Sequence, residues 1–251
     1  MVQGRRWVLK HHFDGLPKKQ DFELVEEELP PLKDGQVLIK ALWLSVDPYM
    51  RPYVARYNPP ITMIGQALFK VLESKNQAYP KGSQILSNCG WIDVGILDPN
   101  AKFSGPGSSD LMSFPAPKIG DLSSSLLLGA CGMPGNTAYF GFLELCKPQS
   151  GETVVVNGAA GAVGSLVGQI AKIKGCRVIG FAGTDEKCEL LVKKFGFDKA
   201  YNYKKVTIPA SGFPTSFDII HSQNSSNCNI HKQNKAKSSH FDELFSNYNL
   251  T

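Results

Sequence analysis

The chain has 251 residues, of which 42% are hydrophobic and 20% are charged, and its formal net charge is +5. This is the composition of a globular protein, and the length suits one large domain or two ordinary ones. Lysine and arginine are scattered rather than clustered, which argues against a nucleic-acid-binding surface. No apolar run reaches the roughly 18 residues of a membrane span, so we expect no membrane partner.

The cysteines and the amino-terminal segment predict a cytoplasmic protein. The six cysteines are sparse and none forms a Cys-x-x-Cys pair, which favours reduced thiols over a disulfide scaffold and argues against a structural zinc site. The first residues lack the apolar stretch of a secretory signal. No histidine accompanies an acid and a nucleophile in a known arrangement, so we assign no metal ligand and no catalytic histidine.

The first half of the chain predicts short β-strands. Apolar runs such as Gly35–Asp47 are separated by Gly, Pro and Asn, and most of the 16 prolines lie in this half. Near the end of that run, Pro48 should end the strand and expose Tyr49. The Tyr49 hydroxyl could hydrogen-bond a substrate carbonyl or stabilise an enolate. A tyrosine that only anchors a turn explains the same residues equally well. We place the first domain at residues 1–122.

The pattern changes after the turn-rich segment Lys102–Asp121. Two short helices are predicted at Ser123–Ala130 and Asn136–Leu145. Strands alternating with helices follow, which indicates a parallel sheet in an α/β domain at residues 123–208. The predicted strands are Thr153–Asn157, Arg177–Ala182 and Lys199–Tyr203, and the predicted helices are Gly161–Lys174 and Asp185–Phe195.

A run of small residues joins the first of these strands to its helix. It approximates the dinucleotide-binding pattern Gly-x-Gly-x-x-Gly, with Ala159, Gly161 and Gly164 at the three positions. Gly161 leaves room for a pyrophosphate, and Gly164 allows the helix to pack closely on the sheet. The first helical turn offers N–H groups to an anion. The alternative is a tight strand–helix turn without a ligand.

The end of the second strand favours NADP(H) over NAD. An NAD site has an acidic residue about 20 residues after the glycines, at the strand tip. Here that position is Thr184, and the strand ends without an acid. Thr184 and Lys187 could bind a 2′-phosphate by hydrogen bond and by charge. An exposed helix lysine is the alternative for Lys187.

Residues 209–251 form a divergent tail. Ser, Asn and Gln make up most of its stretch His221–Ser239, which cannot supply an apolar face for a core. We therefore predict that this tail is disordered. Without further strands, Thr153–Asn157 would be an exposed sheet edge, which is an aggregation hazard.

Several stretches together resemble the zinc-free medium-chain dehydrogenases/reductases, and within them the type 1 prostaglandin reductase group of NADPH-dependent leukotriene dehydrogenases and alkenal/one oxidoreductases. The stretches are LSVDPYMR, MPGNTAYFG, NGAAGAVGSLVGQIAKIKGC, GTDEK and FGFDKAYNYKK. The resemblance covers about Met1–Lys205. It implies a GroES-like β-barrel domain joined to a partial Rossmann domain, and an NADPH-dependent reduction of the carbon–carbon double bond of α,β-unsaturated ketones and aldehydes.

The resemblance also assigns site residues and substrates. Gly161, Ala162, Val163 and Gly164 would face the pyrophosphate, Lys187 the 2′-phosphate and Tyr203 the adenosine end, while Tyr49 would line the substrate cleft. Oxo-prostaglandins and lipid enals are the implied substrates, with leukotriene oxidation as a further reaction.

The pattern of the family stops after Lys205. Its later Asp-Asn-Val-Gly-Gly type motif and most dimer contacts of the family homodimer are missing, although Phe217–Ile220 retains part of a strand. The alternative function is therefore a truncated, non-catalytic isoform with weak or no cofactor binding. Quinone reduction is a third possibility.

Overall fold

The computed structural model describes residues 2–100, 113–205, 217–222 and 228–233. The chain divides into two compact units, Met1–Leu128 and Gly129–Thr251. The sequence predicts the first boundary at residue 122, a short distance before this division. Of the turn-rich segment predicted at Lys102–Asp121, residues 102–112 lie outside the described residues.

The first unit is built on an antiparallel sheet. Its strands are β1 (Val2–Leu9), β2 (Phe22–Leu29), β3 (Val37–Leu44), β4 (Ile61–Thr62), β5 (Ala67–Ser74), β6 (Gln84–Ser87), β7 (Ile92–Leu97) and β8 (Ser113–Pro115). The order is β2-β1-β7-β3-β5-β6-β8, and β4 pairs with β1. Short 3-10 helices cover Lys19–Asp21, Val54–Arg56 and Ser124–Leu128, and the helix α1 covers Met50–Tyr53.

Apolar residues at alternate positions of these strands form the core of the first unit. Val37 and Ile39 of β3 are fully buried against Phe69 and Val71 of β5 and Ile85 of β6. Side chains two residues apart on a strand point to the same face, so the pattern defines one apolar face. The short strands separated by turns that we predicted from the sequence are confirmed.

The second unit contains a mixed five-stranded sheet. Its strands are β9 (Thr153–Asn157), β10 (Arg177–Ala182), β11 (Lys199–Asn202), β12 (Phe217–Ser222) and β13 (Cys228–Gln233). The order is β11-β10-β9-β12-β13, with parallel pairs between β9, β10, β11 and β12. The helices are α2 (Met133–Tyr139), α3 (Ala162–Ile173) and α4 (Asp185–Lys193), and a π-helical segment covers Phe140–Cys146.

The predicted alternation of three strands and two helices is confirmed, with ends that shift by at most two residues. The two short helices predicted before it differ more. The first is a 3-10 helix, and the second begins earlier, at Met133, and continues as the π-helical segment. The π-helical segment ends at Cys146. The next residue, Lys147, has a left-handed φ of 49°, which cannot continue a helix.

Two strands lie in the tail that we predicted to be disordered, so that prediction is wrong for residues 217–222 and 228–233. β12 pairs in parallel with β9, and β13 pairs antiparallel with β12. The prediction of β9 as an exposed edge is wrong for the same reason, since β12 satisfies its second row of backbone hydrogen bonds. Tail residues 209–216, 223–227 and 234–251 lie outside the described residues.

Phe197 fixes how closely α3 approaches the sheet. Its ring is 2% exposed and lies against two glycines, Gly168 in α3 and Gly180 in β10. A Cβ atom on Gly168 would come within 1.9 Å of the ring, and one on Gly180 within 2.9 Å. Because neither glycine has a side chain, the Phe197 ring fits between the helix and the sheet.

We predict that Gly168→Ala lowers the free energy of unfolding by about 2 kcal/mol, because an added methyl group overpacks a tight core. Helix propensity alone would act in the opposite direction, by about 1 kcal/mol in favour of alanine. Denaturant unfolding measures the change. The double variant Gly168→Ala/Phe197→Leu should lose less free energy of unfolding than the sum of the losses in the two single variants. A stabilised Gly168→Ala protein would contradict the packing.

Candidate nucleotide-binding site

The turn between β9 and α3 is held against the neighbouring strand. Gly158 adopts a left-handed φ of 59°, which favours glycine. The backbone N–H of the buried Ala159 donates to the carbonyl of Phe181 in β10 at 3.0 Å, and the N–H of Gly161 donates to the Gly158 carbonyl at 2.8 Å. These bonds place the turn beside the carboxyl end of β10.

The first turn of α3 has donors and no side-chain cap. Gly161 is the N-cap residue and makes no capping hydrogen bond, and no acidic residue lies in the first turn. In an α-helix the N–H groups of Ala162, Val163 and Gly164 have no acceptor within the helix. Gly161 and Ala162 are exposed. The turn therefore offers uncovered N–H groups at the positive end of a helix, which fits a pyrophosphate.

Gly164 allows this helix end to lie directly on the turn. A Cβ atom at this position would come within 2.6 Å of the Gly158 carbonyl oxygen and 3.0 Å of Ala159 Cα. Both are backbone atoms, so they cannot move aside as a side chain would. Gly161 differs, because a Cβ there would meet only the Gly158 oxygen, at 3.1 Å.

Thr184 and Lys187 lie at the start of α4, immediately after β10. Thr184 is the N-cap residue, and its hydroxyl oxygen accepts from the Lys187 backbone N–H at 3.3 Å. The Glu186 backbone N–H and then the Thr184 hydroxyl lower the pKa of Glu186. Thr184 thus has a structural role that sequence reasoning missed, although threonine before an acidic helix start signals a cap. The Lys187 side chain is exposed.

Asp185 is bound by two residues from the neighbouring strand end. The Asn202 side-chain amide donates to one carboxylate oxygen at 2.8 Å, and the Lys205 ammonium donates to the other. The hydrogen bond from Lys205, followed by that from Asn202, lowers the pKa of Asp185. Sequence reasoning missed Asn202 and Lys205, because only the parallel register that pairs Ala182 with Asn202 brings the two strand ends together.

Tyr203 covers the end of β10. Its backbone N–H donates to the Ala182 carbonyl at 3.2 Å, and its hydroxyl would lie 2.9 Å from a Cβ atom placed on Gly183. The residue remains 38% exposed. The structure therefore brings Thr184, Lys187 and Tyr203 together at the carboxyl ends of two adjacent parallel strands. Ligands of open α/β sheets bind at this edge.

Tyr49 lies in the first unit, at the N-cap position of α1. It is half-buried beside Leu9, Met50 and Met63, and its ring meets the edge of Tyr53 at a centroid distance of 5.4 Å. Burial raises the pKa of Tyr49 to about 12, and the charge of Asp47 adds to the effect. The phenol is neutral at physiological pH, as an ordinary tyrosine with a pKa of about 10 is, and can donate a hydrogen bond. The same contacts also fit a tyrosine that anchors the turn.

Among the described residues, no group of three or more His, Cys, Asp or Glu side chains could hold a metal ion. In the same part of the chain, no helix is long and apolar enough to cross a bilayer.

Two family models match the chain. One, described as the N-terminal domain of oxidoreductase, matches residues 5–104, and the other, described as zinc-binding dehydrogenase, matches residues 162–218. Prostaglandin reductase 1 of Rattus norvegicus is 48% identical over 228 residues, which cover 88% of this chain and 66% of that protein. The chain belongs to the zinc-free medium-chain dehydrogenases/reductases of the prostaglandin reductase group. This confirms the family predicted from the motifs.

Other members of the family extend the comparison. The NADP(+)-dependent 2-alkenal reductase of Nicotiana tabacum is 39% identical, over 87% of this chain and 65% of that protein. The crystal structure of CurA from Vibrio vulnificus in complex with NADPH is 35% identical, with a TM-score of 0.69 over 80% of this chain and 58% of that one. The chain thus spans less than two thirds of the length of these relatives.

We predict that Lys205→Met raises the pKa of Asp185 toward its ordinary value of about 3.9, because the variant removes the ammonium that favours the ionised carboxylate. A carboxyl-detected NMR titration measures the pKa. The matched control is Lys193→Met, which breaks an ion pair with Glu189 on the same helix. An Asp185 pKa that does not move in Lys205→Met would contradict the pair.

The depressed pKa also gives the sign of a pH effect. A carboxyl group with a lowered folded-state pKa stabilises the fold above its unfolded pKa, and this stabilisation disappears as the pH falls through the folded pKa. The stability difference between the parent chain and Lys205→Met should therefore be present at neutral pH and absent once Asp185 is protonated.

Proposed function

We propose that this chain is an NADPH-dependent reductase of the carbon–carbon double bond of α,β-unsaturated ketones and aldehydes, with oxo-prostaglandins and lipid enals as substrates. The observation that carries the proposal is the arrangement at the ends of β10 and β11. The Asp185 carboxylate is engaged by Asn202 and Lys205. Both of its oxygens thus already accept hydrogen bonds, whereas an NAD site offers a free acid to the ribose 2′-hydroxyl.

The residues around that strand end suit a phosphorylated ribose. The proposed contacts are the Lys187 ammonium with the 2′-phosphate, the Thr184 hydroxyl as a further partner, and Tyr203 with the adenosine end. Gly161, Ala162, Val163 and Gly164 are proposed to face the pyrophosphate, with the N–H groups of the first helical turn as its donors. When bound, the reduced nicotinamide supplies the hydride that adds to the β-carbon of the enone.

Tyr49 is proposed as the hydrogen-bond donor to the substrate carbonyl. Its phenol is protonated at neutral pH, as a tyrosine is at its ordinary pKa of about 10, and burial raises the pKa further, to about 12. A donor aimed at an oxygen that gains negative charge in the transition state lowers the barrier more than it strengthens ground-state binding. Its packing against the cluster of Leu9, Met50, Val54 and Met63, and the edge contact with the Tyr53 ring, restrict its motion.

The names of the relatives favour this reductase over the alternative of a non-catalytic chain. The rat protein is named a prostaglandin reductase and the tobacco protein an alkenal reductase, and the CurA structure contains NADPH. Leukotriene oxidation and quinone reduction are further reactions that substrate profiling would separate. The family homodimer and the cytoplasmic location stay predictions, which analytical ultracentrifugation and cell fractionation would test.

We predict that Lys187→Ala weakens NADPH binding about 10- to 100-fold, the range expected for losing a charge-assisted hydrogen bond. NADH binding should stay within about twofold, because NADH has no 2′-phosphate. Ligand-dependent stabilisation in thermal melts gives both affinities. Lys193→Ala on the same helix is the control and should match the parent chain. Equal losses for NADPH and NADH would contradict the phosphate contact.

We predict that the purified chain oxidises NADPH in the presence of an unsaturated aldehyde or an oxo-prostaglandin. Tyr49→Phe should lower kcat about 100-fold with little change in KM, the size expected for loss of one oxyanion donor. Tyr53→Phe keeps the ring beside Tyr49 and serves as the control. Absence of turnover in the parent chain would reject the reductase function. Full activity of Tyr49→Phe would leave Tyr49 as a turn anchor.

A further inference from the structure

Asn202 is the one buried polar side chain at the end of β11 among the described residues of that strand. It is 8% exposed, and both ends of its amide are used. The amide nitrogen donates to Asp185 at 2.8 Å, and the amide oxygen accepts from the Lys204 backbone N–H at 3.1 Å. A buried amide with both ends satisfied fixes the backbone on each side of it.

These two bonds join the start of α4 to the turn that carries Tyr203. The turn closes through the Lys205 N–H, which donates to the Asn202 carbonyl at 3.0 Å. Lys205 then reaches back to Asp185 through its ammonium group. Asn202, Asp185 and Lys205, which we call the strand-end network, thus link two segments that are 17 to 20 residues apart in the chain.

The network also determines the charge beside the proposed phosphate position. Asp185 is the first residue of α4, two positions before Lys187. A free carboxylate there would accept a hydrogen bond from a ribose hydroxyl and would repel a 2′-phosphate. With Lys205 bound, the pair is close to neutral. Each group favours the charged form of the other, as in an ion pair: Lys205 lowers the pKa of Asp185, and Asp185 raises the pKa of Lys205.

We infer that the strand-end network of Asn202, Asp185 and Lys205 is a positioning unit that sets the preference for NADPH over NADH. Lys205 neutralises Asp185, and Asn202 holds that carboxylate and the Tyr203 turn in place. The inference rests on the proposed function, and none of the three residues needs to contact the nucleotide. Lys187 remains the residue proposed to bind the phosphate directly.

The test is a binding cycle with the full chain, which measures dissociation constants for NADPH and NADH by calorimetry. Lys205→Met should weaken NADPH binding about tenfold by exposing the Asp185 charge, and should leave NADH binding unchanged or tighter, since the freed carboxylate can accept a hydrogen bond from a ribose hydroxyl. The double variant Asp185→Asn/Lys205→Met should recover NADPH binding to within about threefold of the parent chain, since no charge then needs to be neutralised. Lys193→Met on the same helix is the matched control.

A direct contact between Lys205 and the phosphate would give a different result, because removing the Asp185 charge could not restore a lost cation. Failure of the double variant to recover would therefore overturn the inference, and so would an unchanged NADPH affinity in Lys205→Met. Asn202→Ala should also weaken NADPH binding relative to NADH binding. If that buried variant does not fold, the exposed position 205 still decides the outcome.

The two proposals fail in different ways. A parent chain that binds neither nucleotide would overturn the proposed function and this inference together. A parent chain that prefers NADPH, with a Lys205→Met variant that keeps the same preference, would overturn only the inference.

Discussion

The parallel pairing of β9, β10 and β11 is the constraint on which the nucleotide-binding half of the molecule depends. In a parallel pair the carboxyl ends of the strands meet at one edge. The glycine turn follows β9, the start of α4 follows β10, and the Tyr203 turn follows β11. The Ala159–Phe181 and Tyr203–Ala182 hydrogen bonds extend the pairing beyond the strands. Three segments remote in the chain therefore become one surface.

Close backbone packing supports that surface. Gly164 lets α3 begin directly on the turn, and Gly168 and Gly180 make room for Phe197 between helix and sheet. A larger side chain at any of these positions would push the helix away and move its N–H groups. The small residues thus matter for the position of the helix end as much as for the conformation of the loop.

Charge at the strand end is controlled by pairing rather than by composition. The start of α4 carries Asp185 and Glu186. In the sequence alone, these two negative charges look unsuited to a nearby phosphate. In the folded chain, Asp185 binds Asn202 and Lys205, and Glu186 binds its own backbone N–H and Thr184. The acids serve the helix start and the strand-end network, and the exposed Lys187 lies beside them.

Sequence by itself determined the local elements and the family. The alternation of strands and helices from Thr153 to Asn202, the glycine turn and the exposed Lys187 all follow from patterns within about 20 residues, so propensity and periodicity suffice. Only the tertiary structure decided the partners of Asp185 and the second neighbour of β9. Strand register brings Asn202 to Asp185 and β12 to β9. Register is a property of the assembled sheet that no local pattern encodes.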